Sequence, residues 1–326
     1  MFDDAFIAKL FAADKRSVAR AVSIVESQDN SSLGLLERIH HKLGRAYRVG
    51  ITGPPGAGKS TIVSRLAKIF NLKGKKVGII AVDPTSPFTG GALLGDRIRM
   101  MELSALDGIF IRSMATRGSL GGLSKTSQQA ADVLDAAGFD YILLETVGVG
   151  QSELDIAQAA DTTIVVLTPE SGDSIQAMKA GLMEIADFFV LNKADRPGMD
   201  QLHNAITTML QISSHPNKGG TKDLPTDRKV NGWAPFIVKT VASENRGIDK
   251  VAEGIEQHAE YLSRTDKLFV KRKERTKRMI LEIVEERLQK SFWTEKRLFE
   301  LEKKLELVLT NKLSAIRLAE EIITNG

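Results

Sequence analysis

The stretch Gly53-Pro54-Pro55-Gly56-Ala57-Gly58-Lys59-Ser60, with Thr61 following, decides how the rest of the chain reads. It fits the phosphate-binding pattern G-x-x-x-x-G-K-[ST] at every position. The glycines let backbone N–H groups converge on phosphate oxygens, and a helix N-terminus adds partial positive charge there. In that pattern Lys59 reaches the β- and γ-phosphates and the Ser60 hydroxyl ligates Mg²⁺. The flanks agree. The apolar run 49–52 predicts a strand before the loop, and 61–70 predicts a helix after it. Lys59 is expected on an exposed loop with no part in the core.

Outward from this loop, short β-rich apolar runs recur at 77–82, 109–111, 141–144, 162–167, 188–191 and 236–238. Helix-like stretches separate most of them. Continuous apolar strands alternating with helices predict a parallel sheet covered on both faces. The fold class is therefore α/β: a P-loop NTPase fold with a mainly parallel sheet, plus helical extensions at both ends. Residues 1–45 read as a small helical cover. Its stripe runs Val18, Ala21, Val22, Ile24 and Val25; Asn30-Ser31-Ser32 breaks it, and a second short helix spans 35–43. Residues 46–262 read as the nucleotide domain, with a polar surface loop at 217–233. Residues 263–326 read as a helical dimerisation extension. There Leu298, Leu301, Leu305 and Val308 repeat at helical spacing on a segment with little apolar cover of its own, which points to a second subunit.

The base is read from Asn192-Lys193-Ala194-Asp195, which closes the strand 188–191. A carboxylate at Asp195 accepts from guanine N1–H and the exocyclic amine, donors that adenine lacks at that edge. Asn192 would hold the other edge and the loop, and the Lys193 stem would lie along the ring. After the last strand, Ala242-Ser243-Glu244 is either a plain polar loop or the loop whose backbone meets the guanine oxygen. Asp83 and Glu145 end apolar strands, where carboxylates face the ligand crevice and can hold Mg²⁺ or its waters. Asp96, in a glycine-rich stretch, either joins them or caps a helix at 97–103. Glu145-Thr146-Val147-Gly148 stands where most GTPases carry D-x-x-G, so the Gly148 N–H could sense the γ-phosphate. Val149 rather than Gln follows Gly148, so unaided hydrolysis is expected to be slow.

Composition narrows the rest. There is no cysteine in 326 residues, which removes disulfides, thiolate zinc sites and cysteine nucleophiles and suits a reducing cytoplasm. No apolar run is long enough to span a membrane, and Asp3 and Asp4 do not suit a secretory signal. The net charge of +4 is too mild to argue for nucleic acid. Between Arg264 and Lys304 stand 14 Lys/Arg and 8 Asp/Glu, mixed signs that read as a solvated, partner-packing helix. Of the five histidines only His40 and His41 are adjacent, the others are scattered, and all are expected to be exposed.

Several long stretches together resemble the P-loop GTPases of the methylmalonyl-CoA mutase-accessory (MeaB/ArgK-like) type. They are 20–27, 53–61, 81–91, 94–100, 145–153 and 192–198, and the run Asp83-Pro84-Thr85-Ser86-Pro87-Phe88-Thr89-Gly90-Gly91 is the most specific of them. The likeness covers about 15–262. It implies a homodimeric, Mg²⁺-dependent, cytoplasmic GTPase that converts GTP to GDP and phosphate. Such a protein protects and loads an adenosylcobalamin-dependent acyl-CoA mutase, with neither nucleic acid nor membrane as partner. Glu145 in place of Asp is that family's own form, and 171–179 looks like an additional nucleotide-responsive switch. A GTPase that delivers nickel is the alternative, although His- or Cys-rich segments are lacking. An ATPase or kinase is disfavoured by Asn192 to Asp195.

Overall fold

Seven strands pair in parallel in the order β3-β2-β4-β1-β5-β6-β7. The computed structural model describes residues 2–27, 30–84, 102–116, 125–146, 152–171, 181–214 and 232–324. The strands are β1 (Tyr47–Thr52), β2 (Val77–Pro84), β3 (Ile109–Thr116), β4 (Tyr141–Thr146), β5 (Thr162–Leu167), β6 (Phe188–Leu191) and β7 (Ile237–Lys239). β1, β5 and β6 are buried along their whole length, which is why they read as unbroken apolar runs. The strand order reverses around β1, flanked by β4 and β5. Ligands of open α/β sheets bind beyond the carboxyl ends of the strands at such a switch point. The loop 53–58 leaves β1 there.

Three helices open the chain: α1 (Asp4–Phe11), α2 (Lys15–Ser27) and α3 (Asn30–Ile39). Val18, Ala21, Val22 and Val25 of α2 are fully buried. They share a cluster with Leu10, Leu35 and Ile39, with Ala130 and Leu134, and with Ile80, Ile142 and Leu144 of the sheet. Ile24 packs against the cluster half-buried. Each buried valine, leucine or isoleucine among them contributes about 1.5–3 kcal/mol through burial. These helices pack on that face of the sheet, and one detail differs from the sequence reading. Asn30, Ser31 and Ser32 form the first turn of α3 instead of interrupting a helix, and α3 ends at Ile39, with a 3-10 turn at His40–Lys42. Short polar side chains favour helix beginnings because they can serve unpaired N–H groups.

The phosphate loop runs into α4 (Lys59–Leu72), and α5 (Lys125–Ala136), α6 (Ser152–Ala159), α7 (Gly181–Ile185), α8 (Met199–Ser214) and α9 (Ile248–Arg264) follow the later strands. α4 and α9 cover the other face of the sheet through Ile62, Leu66, Phe70, Ile248, Val251 and Ile255. Gly50 in β1 permits close packing of α6, since a Cβ there would lie 2.8 Å from Ile156 Cγ1. His258 corrects the expectation of exposed histidines. It is buried on α9, its Nδ1 2.8 Å from Thr162 Oγ1, which in turn meets the Tyr47 hydroxyl at 2.6 Å. A helix face turned inward can carry a polar ring when partners satisfy it.

The chain divides into two units, Met1–Leu268 and Phe269–Gly326. The second unit holds most of α10 (Lys267–Phe292), then α11 (Glu295–Leu309) and α12 (Ala315–Thr324). Within it Leu318 and Ile322 are buried, and Lys304 meets Glu321 at 2.9 Å. On the stripe read from sequence, Leu298 and Leu305 are exposed, while Leu301 and Val308 are half-buried. Among the described residues, no helix is long and apolar enough to cross a membrane.

Candidate nucleotide site

Gly53 leaves β1 at φ +137°, and a Cβ there would stand 2.0 Å from the Val166 carbonyl oxygen. Only glycine fits this bend. Gly58 closes the loop at φ +88°, where a Cβ would stand 2.3 Å from Asn192 Nδ2. Both constraints explain the glycine spacing without reference to a ligand. Lys59 then opens α4.

Lys59 is not the exposed loop residue that the sequence suggested. It is 6% exposed, and its Nζ donates to the carbonyls of Gly53 at 2.8 Å and Pro54 at 2.9 Å. The loop curls around its own lysine because an ammonium buried there needs acceptors. Pro54 and Ala57 are buried, and Pro55 and Gly56 are exposed at the loop's crest; Thr61 is half-buried one residue into α4 after Ser60.

Ser60 and Glu145 come together. The Ser60 hydroxyl donates to Glu145 Oε1 at 2.6 Å, and Glu145 is buried near the end of β4. Register places Glu145 beside Ile51 of β1 and Ala81 of β2. Asp83 lies two positions beyond Ala81 on β2, its backbone paired with Ala115. Its side chain, and Asp96 and Gly148 entirely, lie outside the described residues, as do the loop at 217–231 and most of the segments 84–97, 147–153 and 171–179. Among the described residues no group of three or more His, Asp or Glu gathers as a metal cluster. The Ser60–Glu145 pair does present only oxygen donors, the kind a hard divalent cation takes.

Asn192 ties the two halves of the site together. It is buried, and its Nδ2 donates to the Ala57 carbonyl at 2.8 Å. Its Oδ1 accepts from the Ala242 N–H at 3.0 Å and the Thr240 hydroxyl at 3.1 Å. One side chain therefore joins the phosphate loop to the turn Ala242–Glu244, which follows β7. Arg65 of α4 reaches the Ser243 carbonyl at 3.3 Å, and Glu244 pairs with Arg246 at 2.9 Å. Lys193 sits at φ +58°, and Asp195 is exposed at the rim.

Four further residues were not singled out from the sequence. Thr146 donates to Thr52 at 3.0 Å, linking the roots of the E-T-V-G and phosphate loops through buried hydroxyls. Thr240 supports Asn192. Glu170, in the turn Pro169–Ser171 after β5, binds Arg196 and lies 3.7 Å from Lys193 Nζ. Each stands at or just past a strand's carboxyl end, and that position was the available signal.

Comparison with known proteins agrees with this frame. The model of the family described as methylmalonyl-CoA mutase-associated GTPase MeaB matches residues 18–297. The chain belongs to the MeaB family. It is a GTPase, and guanine nucleotides are its ligands. A Pyrococcus abyssi protein whose name is that of a GTPase is 48% identical over 282 residues, 86% of this chain and 83% of that one. The mitochondrial methylmalonic aciduria type A homolog of Mus musculus is 31% identical over 307 residues, 90% of this chain and 72% of that one. A crystal structure described as the LAO/AO transport system kinase superposes with a TM-score of 0.69 at 26% identity, covering 99% of this chain and 98% of that one.

Proposed function

We propose that this MeaB-family protein is a GTP-driven chaperone of an adenosylcobalamin-dependent acyl-CoA mutase, with Gly53 to Thr61 holding the phosphates and Asn192, Lys193, Asp195 and Ala242 to Glu244 holding the base. The observation that carries the site reading is the Asn192 bridge from Ala57 to Ala242. It makes phosphate loop and base loop one frame, with the Asp195 carboxylate open at its edge. A phosphate arriving at the loop offers Lys59 charged acceptors in exchange for the Gly53 and Pro54 carbonyls, and charge-assisted bonds are about twice as strong as neutral ones. Ser60, with Asp83, Asp96 and Glu145 directly or through water, would hold Mg²⁺. When bound, the ion neutralises charge developing on the β- and γ-oxygens. Gly148 would read the γ-phosphate from the loop rooted at Thr146.

The mutase partner is supported by the family description and by the name of the mouse relative. The homodimer is supported by the exposed leucines of α11. A cytoplasmic location accords with the lack of cysteine.

Titration calorimetry tests the site. GDP and GTP should bind far more tightly than ADP and ATP, since two hydrogen bonds to a carboxylate are worth about 3 kcal/mol or more. Asp195→Asn should shift preference toward xanthine nucleotides. Equal affinity for guanine and adenine nucleotides would remove the assignment of Asp195. Gel filtration of the protein mixed with the mutase tests the partner, with co-elution expected in one nucleotide state.

A further inference from the structure

Glu170 touches both cations that flank the base-reading carboxylate. Its Oε1 accepts from the Arg196 guanidinium, and its Oε2 lies 3.7 Å from Lys193 Nζ. The Arg196 N–H also donates to the Lys193 carbonyl at 3.0 Å, so the run from Lys193 to Arg196 is closed into a turn with Asp195 inside it. Asp195 is exposed and makes no hydrogen bond or ion pair among the described residues. That is unusual company for a free carboxylate. Opposite charges at about 4 Å attract even in water, so a flexible cation within two residues competes for it. Here both cations are turned to a carboxylate on a different element.

We propose that Glu170 is a positioning residue for base recognition: by engaging Arg196, with Lys193 at its other oxygen, it keeps the Asp195 carboxylate open to the guanine N–H donors. The inference rests on the reading of Asp195 given above. Glu170 is suited to the task. The Arg196 guanidinium hydrogen-bonded to it pulls its carboxyl down to about 2, so it stays ionised throughout the neutral range. Its place immediately after β5 and beside β6 lets it reach across to the turn that follows β6.

The test is calorimetric titration of the full-length protein with GDP and with ADP, both in Mg²⁺. The variants are Glu170→Gln, Arg196→Ala and the two combined. Glu170→Gln should weaken GDP binding about five-fold, the size that exposed charge pairs reach. It should leave the weaker ADP binding unchanged. Arg196→Ala alone should stay near wild type, and adding it to Glu170→Gln should recover most of the lost GDP affinity, because the more closely held of the two released cations is then gone. A merely structural Glu170 would weaken GDP and ADP together with no recovery in the double variant, and that result overturns the proposal. So does unchanged GDP affinity in Glu170→Gln. If wild type shows no preference for GDP over ADP, the reading of Asp195 itself falls and takes the Glu170 proposal with it. A preference that survives intact in Glu170→Gln sinks the Glu170 proposal alone.

Discussion

Lys59 holds its own loop together through Gly53 and Pro54, so its removal touches stability as well as binding. Lys59→Ala should abolish most GTP affinity in calorimetry, while thermal unfolding shows a loss of about 1 kcal/mol and not a collapse. A variant that binds GTP as wild type does would show that the lysine is structural only. Gly58→Ala should cost about 1–2 kcal/mol from its left-handed backbone. It should also push Asn192 off Ala57, since the new Cβ would stand 2.3 Å from Nδ2. Thermal unfolding and GDP titration should therefore fall together. The residue scale was partly legible in the sequence. Motif spacing picked out the loop and Asn192, and a strand end picked out Glu145; the structure brings Asn192 to Ala57 and Glu145 to Ser60. The burial of Lys59 and the roles of Thr52, Thr146, Thr240 and Glu170 were not legible. They depend on which strand ends become neighbours, and that is set by the order β2-β4-β1-β5-β6 and not by proximity in the chain.

At the scale of elements, strands buried on both faces announce themselves as apolar runs, and all seven were visible in the sequence. Helix boundaries were less so. Asn30 to Ser32 break one pattern and begin another, and local composition does not separate these roles. His258 was misjudged for a related reason: α9 turns one of its polar residues into the sheet, where Thr162 satisfies it. The C-terminal helices carry a prediction of their own. Leu298 is 46% exposed and Leu305 39% on α11. If that stripe seats a second copy, Leu298→Lys with Leu305→Lys in the full-length chain should convert a dimer to a monomer in light scattering and leave GDP affinity unchanged. A double variant with the mass of a dimer would move the interface elsewhere.

At the scale of the whole molecule, the proposed chaperone role requires nucleotide state to be a signal to another protein. Thr146 and Glu170 stand at the same edge of the sheet as the phosphate loop, and the segments read from the sequence as switches continue from them, as coupling of phosphate chemistry to an outer surface would require. By linkage, a partner that prefers one nucleotide state must shift nucleotide affinity in return. Val149 after Gly148 leaves the usual water-orienting glutamine out of position, which suits a switch that waits for its partner. The most direct test is the rate of GTP hydrolysis by the full-length protein in Mg²⁺, measured with and without an adenosylcobalamin-dependent acyl-CoA mutase from the same source. Turnover should be slow for the protein alone and change clearly, by about ten-fold or more, when the mutase is added. Turnover that is fast in isolation, or identical with and without the mutase, would contradict the proposed chaperone role.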